Sequence, residues 1–273
     1  MAEGYISGLH QSPYKGHSLE FAQHRQYTFG DSLKYLDWKI YGRTDRFYVK
    51  QFQEETNLRG YCVIDTSSSM DYASGEVSKL EYASYLAAAI TYLMIKQRDS
   101  AGLITFSENI EEFVPPRSHQ AHMHQVMNKL EKLPVNKKTD FSNSFNQIGR
   151  KIKKRSLLVI FSDFLEEPEK LIRALKYFPY RKNDVIAFNI LDPDEINLPH
   201  EGSVEYIDSE SSARFKTRPA VIRKEYQKKI KEHLKILENS MRNHGIDYYS
   251  LTTDIPLDKA FSRFIEGRKR FAL

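Results

Sequence analysis

The stretch Val63-Ile64-Asp65-Thr66-Ser67-Ser68-Ser69-Met70-Asp71 joins a β-branched apolar pair to a carboxylate and a cluster of hydroxyls. β-branched residues favour a half-buried or buried strand, whereas Asp and Ser favour turns and helix caps. Carboxylate and hydroxyl oxygens are also the ligands that hard divalent cations such as Mg²⁺ and Mn²⁺ accept. Two readings therefore stand side by side: a strand followed by an N-capped helix, which needs no chemistry, and an oxygen-ligand cation site. A second junction has the same design, because Leu157 to Phe161 (LLVIF) runs into Ser162-Asp163. Between the two junctions lies the polar loop Lys137-Lys138-Thr139-Asp140-Phe141, which offers a third hydroxyl. Asp65, Ser67, Ser69, Thr139 and Asp163 thus bring oxygen-bearing side chains from three loops, a stronger signal together than any one alone.

Such residues need a scaffold that brings the loops together. From about Tyr61 onward, short apolar runs alternate with longer helix-like segments. Strands are expected over Tyr61 to Ile64, Ala101 to Phe106, Leu157 to Phe161, Val185 to Leu191 and Ile246 to Leu251. Helices are expected over Ser78 to Gln97, Gln120 to Leu133, Phe141 to Lys154, Pro168 to Phe178, Ile222 to Asn243 and Leu257 to Ile265. The uninterrupted LLVIF run is the type buried on both faces of a parallel sheet. This alternation predicts an α/β fold, a doubly wound and mostly parallel sheet flanked by helices. In such sheets ligands bind outside the carboxyl ends of the strands, where strand order reverses. Glu201 to Lys216 reads as a hairpin insertion. Residues 1–53 read as an N-terminal arm with an edge strand near Phe47 to Phe52, docked on the domain formed by residues 54–273.

Composition narrows the class. The 273 residues are 40% hydrophobic, enough for a core, and carry a net charge of +5. Basic clusters at Lys151 to Arg155, Arg181-Lys182, Arg223 to Lys235 and Arg268 to Arg270 are interspersed with acids, as on solvated helix faces. No zinc-finger spacing, aromatic RNA-binding motif or basic arm points to nucleic acid. The single cysteine, Cys62, cannot form an internal disulfide and reads as a small buried residue. No signal peptide or membrane span is evident, since the longest apolar run, Tyr85 to Ile95, is too short for a bilayer. A cytoplasmic protein is the expectation.

The pattern Asp65-x-Ser67-x-Ser69, then Thr139, then Asp163 resembles the metal-ion-dependent adhesion site of von Willebrand factor A domains. The resemblance implies that the serines and threonine coordinate a divalent cation while the acids hold it directly or through water. The segment Tyr27 to Trp38, then Arg43, then Val49 to Glu54, resembles the entry signature of the bacterial domain-of-unknown-function family 58, whose genes often neighbour MoxR-type AAA+ ATPases. Lys34 stands where that family's arginine is expected, and Lys137-Lys138 where glycines are common. The resemblance implies a metal-dependent protein–protein interaction module that receives an Asp or Glu from its partner, and an adaptor or chaperone-type role beside such an ATPase.

Other residues admit sharper readings that the pattern does not favour. His119, His122 and His124 lack the spacing and the glutamate of a zinc protease helix, and read as a solvated helix start. Asp192-Pro193-Asp194-Glu195 is ordinary turn chemistry, and Asp71 and Asp140 read as capping or surface acids. Trp38, Tyr35 and Tyr41 are expected to pack the arm against the domain. The alternative function is a Mg²⁺-dependent phosphohydrolase with Asp65 as nucleophile. Ser67 replaces the second acid that chemistry usually has, and no Gly-rich phosphate loop occurs, so a binding module and not an enzyme is the expectation.

Overall fold

The computed structural model describes residues 19–29, 31–54, 58–135, 138–207 and 213–262. They fall into two compact units, one holding the described residues up to Glu54 and the other those from Leu58 onward.

In the first unit, β1 (Leu19–Gln26) pairs antiparallel with β2 (Tyr48–Glu54). Between them lies α1 (Trp38–Thr44), a short helix that the sequence reading did not anticipate. Asp37 caps it, its Oδ1 accepting from the N–H groups of Lys39 at 2.9 Å and Ile40 at 3.3 Å. The strand expected near Phe47 to Phe52 therefore exists, but it does not extend the large sheet. Its backbone partner is Leu19–Gln26, and the large sheet ends on other strands. Trp38 is 63% exposed and meets Tyr41 edge-on, while Tyr41 stacks on Phe47 at 4.4 Å. The aromatic residues thus pack on one another inside the arm, with Trp38 left largely in solvent.

The second unit is built on a six-stranded sheet in the order β10-β7-β6-β3-β4-β5. These strands are β3 (Arg59–Asp65), β4 (Ser100–Phe106), β5 (Ile110–Arg117), β6 (Leu157–Ser162), β7 (Asp184–Leu191) and β10 (Ile246–Thr252). All neighbouring pairs are parallel except β4 with β5. The extended Pro115-Pro116 stretch is that antiparallel edge strand, a place where a missing N–H does no harm.

Alternation along β3 sends Cys62 and Ile64 to one face and Tyr61 and Val63 to the other. On the first face lie α2 (Lys79–Lys96) and α3 (Gln120–Leu130), supplying Leu86, Ile90 and Val126. On the second lie α4 (Phe141–Lys151), α5 (Pro168–Leu175) and α8 (Pro219–Asn243), supplying Phe145, Leu171 and Leu237. Both faces are covered, which is why LLVIF carries no polar alternation. Cys62 lies wholly in this core, where burial pushes its thiol up to about 12. Pro168 occupies the first turn of its helix as expected, and α6 (Tyr177–Tyr180) continues beyond it. The insertion is a hairpin of β8 (Val204–Ile207) and β9 (Arg214–Thr217). Residues 257–262 are helical, and the rest of the helix expected there lies outside the described residues. One further helix, α7 (Pro193–Asn197), replaces the simple turn expected after β7.

Chain order places the site. After β3 the chain adds β4 and β5 on one side, then crosses to build β6, β7 and β10 on the other. Strand order reverses around β3, so the carboxyl ends of β3 and β6 form the crevice where an open sheet binds ligands.

Candidate functional site

Asp65 is the last residue of β3 and is 1% exposed. Its Oδ1 accepts from the Ser67 N–H at 3.0 Å and from the Thr139 hydroxyl at 3.1 Å. Its Oδ2 accepts from the Ser162 hydroxyl at 2.8 Å. Ser67 Oγ lies 3.0 Å from Ser69 Oγ. Four of the five sequence-derived residues, from two loops, therefore meet in one hydrogen-bonded web. Burial raises the Asp65 carboxyl above its ordinary range, and the neighbouring Asp163 carboxylate adds to the effect. A buried acid that feels a second carboxylate is stabilised in its ionised form by a nearby cation.

Asp163 follows β6 and is 4% exposed. Its Oδ1 accepts weakly from the Leu165 N–H at 3.4 Å, while its Oδ2 accepts from Lys79 Nζ at 2.9 Å. The turn is tight: Phe164, fully buried, adopts a left-handed φ of 46°, uncommon for a bulky residue. Its N–H donates to Ser162 Oγ at 3.1 Å, which helps to hold the strained turn.

Sequence reasoning missed Lys79. It opens α2 directly after the N-cap Ser78, inside the Ser78/Glu81 capping box, and its side chain is 0% exposed. Its ammonium also reaches Glu195 Oε1 at 2.6 Å. Burial works against this charge, but Asp163 and Glu195 more than offset it and hold the lysine above its ordinary pKa. Burial raises Glu195 too, in spite of Lys79, yet the short contact is that of an ionised pair. Glu195 itself belongs to the cap of α7, where its Oε2 accepts from the Asp192 N–H at 2.8 Å. Asp192 accepts from the N–H groups of Ser74 at 2.9 Å and Asp194 at 2.8 Å, a capping role consistent with turn chemistry.

The remaining acids behave as expected: Asp140 caps α4 through the Asn143 N–H at 2.9 Å, and Asp71 ends a short 3-10 turn. The histidines divide differently from a solvated helix start. His119 caps α3, but His122 is buried with Nε2 2.8 Å from the Ala101 carbonyl. Among the described residues, no group of three or more His, Cys, Asp or Glu side chains is placed to hold a metal ion. A cation at the strand ends would thus depend on hydroxyl oxygens. Those oxygens fit one: adjacent ligands of an octahedral Mg²⁺ at about 2.1 Å sit roughly 3 Å apart. The Ser67–Ser69 and Thr139–Asp65 spacings are 3.0 and 3.1 Å, although the same spacings also serve hydrogen bonds. Asp65, Ser69, Thr139 and Asp163 face a cleft of about 820 Å³, roofed on one side by Tyr206 and Phe215 of the hairpin and Tyr226 of α8.

The sheet is mostly parallel and covered on both faces, with one antiparallel edge and the D-x-S-x-S turn at its switch point, the doubly wound arrangement that the resemblance to von Willebrand factor A domains implies. Residues 23–236 match the family described as "Protein of unknown function DUF58", and the chain belongs to that family. It is 28% identical over 276 aligned positions to the uncharacterized protein Rv1480 of Mycobacterium tuberculosis, covering 99% of this chain and 86% of that protein. Its fold is similar to that of the conserved hypothetical protein BatB from Bacteroides thetaiotaomicron, with a TM-score of 0.54, 17% identity, and 78% of this chain and 99% of that one covered. An aerotolerance-related membrane protein from Bacteroides fragilis is similar at TM-score 0.52 and 18% identity, over 77% of this chain and 99% of that one. At these identities the solved structures speak for the fold alone. No helix among the described residues is long and apolar enough to cross a membrane.

Proposed function

We propose that this chain is a divalent-cation-dependent protein-interaction module, in which Asp65, Ser67, Ser69, Thr139 and Asp163 hold Mg²⁺ or Mn²⁺ at the mouth of the cleft. The observation that carries this reading is the web at the strand switch point, in which Asp65 Oδ1 accepts from the Ser67 N–H at 3.0 Å and the Thr139 hydroxyl at 3.1 Å while Ser67 Oγ lies 3.0 Å from Ser69 Oγ. A cation bound there would supply an electrophilic position for a partner's Asp or Glu. The chain's own residues do the rest: Asp65 and Asp163 are fixed by strand ends, and Thr139 sits on a loop that a partner can displace. Both Asp65 oxygens already accept hydrogen bonds, which favours a structural ligand over the nucleophile of the phosphohydrolase alternative. The family resemblance supports a MoxR-type AAA+ ATPase as partner, with the domain as adaptor and not as enzyme.

Titration calorimetry with Mg²⁺ and Mn²⁺ tests the site. One binding event is expected, strongly weakened by Asp65→Ala and by Asp163→Ala, and wild-type binding that survives both changes would refute the assignment. For the partner, a MoxR-type ATPase should be retained on the immobilised protein with Mg²⁺ and released by chelator.

A further inference from the structure

We propose that Lys79 is a built-in counter-cation of the strand-end site, competing with the divalent ion for the Asp163 carboxylate and thereby setting how tightly that ion binds. The proposal rests on the metal-binding reading above and adds a residue that no ligand pattern includes.

The position of Lys79 is not explained by its helix. It is the first residue of α2, and a cation at a helix N-terminus opposes the helix dipole. It is also fully buried, which lysine tolerates only when paired. Both of its partners come from distant elements: Asp163 is 84 positions away at the end of β6, and Glu195 is 116 positions away in α7. The long side chain therefore reaches past its own helix to neutralise acids that the strand ends bring together. Its contact with Asp163 Oδ2 occupies one of the two oxygens that this acid could offer an ion. A fixed positive charge beside a cation site weakens binding of the ion by direct repulsion, and low solvent access keeps that repulsion unscreened.

The geometry also ties the site to the groove wall. Glu195 holds Lys79 through its side chain, while its backbone carbonyl accepts from the Tyr226 hydroxyl of α8 at 2.6 Å. An ion that draws Asp163 away from Lys79 leaves the ammonium to Glu195 alone, so occupancy is felt in α7.

The test compares Mn²⁺ affinity, by calorimetry and by paramagnetic resonance of free Mn²⁺, for wild type, Lys79→Met, Glu195→Gln and the Lys79→Met/Glu195→Gln pair. Removing the ammonium should tighten Mn²⁺ binding about ten- to a hundredfold. Glu195→Gln leaves the ammonium to Asp163 and removes one negative charge, so it should weaken binding severalfold. The double variant removes one charge of each sign, guarding against misfolding from an unpaired Glu195, and should bind more tightly than Glu195→Gln alone. Circular dichroism establishes that each variant is folded. Mn²⁺ affinity unchanged or weakened by loss of Lys79 in both backgrounds, with wild type binding normally, would overturn the role of Lys79 and leave the metal reading intact. No binding by wild type or by any variant would overturn both. Binding that emerges only when Lys79 is removed would support the counter-cation directly.

Discussion

The hydroxyl of Ser162 donates to Oδ2 of Asp65 across 2.8 Å, tying the end of β6 to the end of β3. Ser162 Oγ also accepts from the Phe164 N–H at 3.1 Å, so one side chain both anchors the buried acid and secures the left-handed turn after Asp163. Hydrogen bonds to charged groups contribute about 1.5–3 kcal/mol, and an orphaned buried partner adds to the loss. Ser162→Ala should therefore lower unfolding stability by about 1–3 kcal/mol in urea titration. A stability equal to wild type would show that the bond contributes nothing net.

Thr139 should separate metal from partner. Its hydroxyl touches Asp65 from a loop rather than a strand end, at 3.1 Å. On the proposed metal-binding reading, Thr139→Ala would take away one neutral ligand and leave both acids, so it should weaken Mg²⁺ binding severalfold and partner binding more. Calorimetry with the ion, followed by affinity measurement for an isolated partner with and without the ion, gives both figures. Equal partner affinity for wild type and variant, with and without metal, would reduce the D-x-S-x-S turn to a capped strand end.

Asp65 predicts an unusual pH response. Its folded pKa is raised above the ordinary 3.8, first by burial and then by Asp163. A folded state that holds a proton more tightly than the unfolded chain loses stability as pH rises. The metal-free protein should lose stability on this account between about pH 4 and neutrality. Mg²⁺ should restore it at the upper end, because the ion stabilises the ionised form. Thermal melts across that range, with chelator or with Mg²⁺, should show the difference, and Asp65→Asn should lack it.

In the arm the sign is reversed. The Asp37 carboxyl is depressed to about 2, first by the hydrogen bond from the His24 ring, then by the Ile40 and Lys39 N–H groups that it caps. Its contribution is present above the ordinary 3.8 and is lost as pH falls through about 2. Trp38, the only tryptophan, follows it directly and reports on α1. Asp37→Ala should alter Trp38 fluorescence at neutral pH in the way that strong acid alters wild type. Identical acid profiles for both proteins would show that the cap does not hold the helix.

Much of the frame was legible because it is local. LLVIF declares a strand buried on two faces, and apolar alternation with helical segments declares the doubly wound sheet, since period and burial are written into neighbouring residues. The acid that ends each central strand and the serines spaced two apart lie within single short segments. His122 was also within reach: with Val126 and Leu130 it forms an i, i+4, i+8 stripe, and all three are buried. What the sequence could not decide is which distant groups share one volume. Nothing near Lys79 says that a helix-opening lysine turns inward, because its partners lie 84 and 116 positions away and become neighbours only when β6 and α7 are placed. Strand β2 had the composition of an edge strand, but its partner was a choice among several unpaired edges. The tertiary structure gave that pairing to Leu19–Gln26. Composition and period thus determine which elements form and where acids and hydroxyls meet a strand end, whereas charge pairing and strand partnership depend on proximity, which only the folded chain supplies.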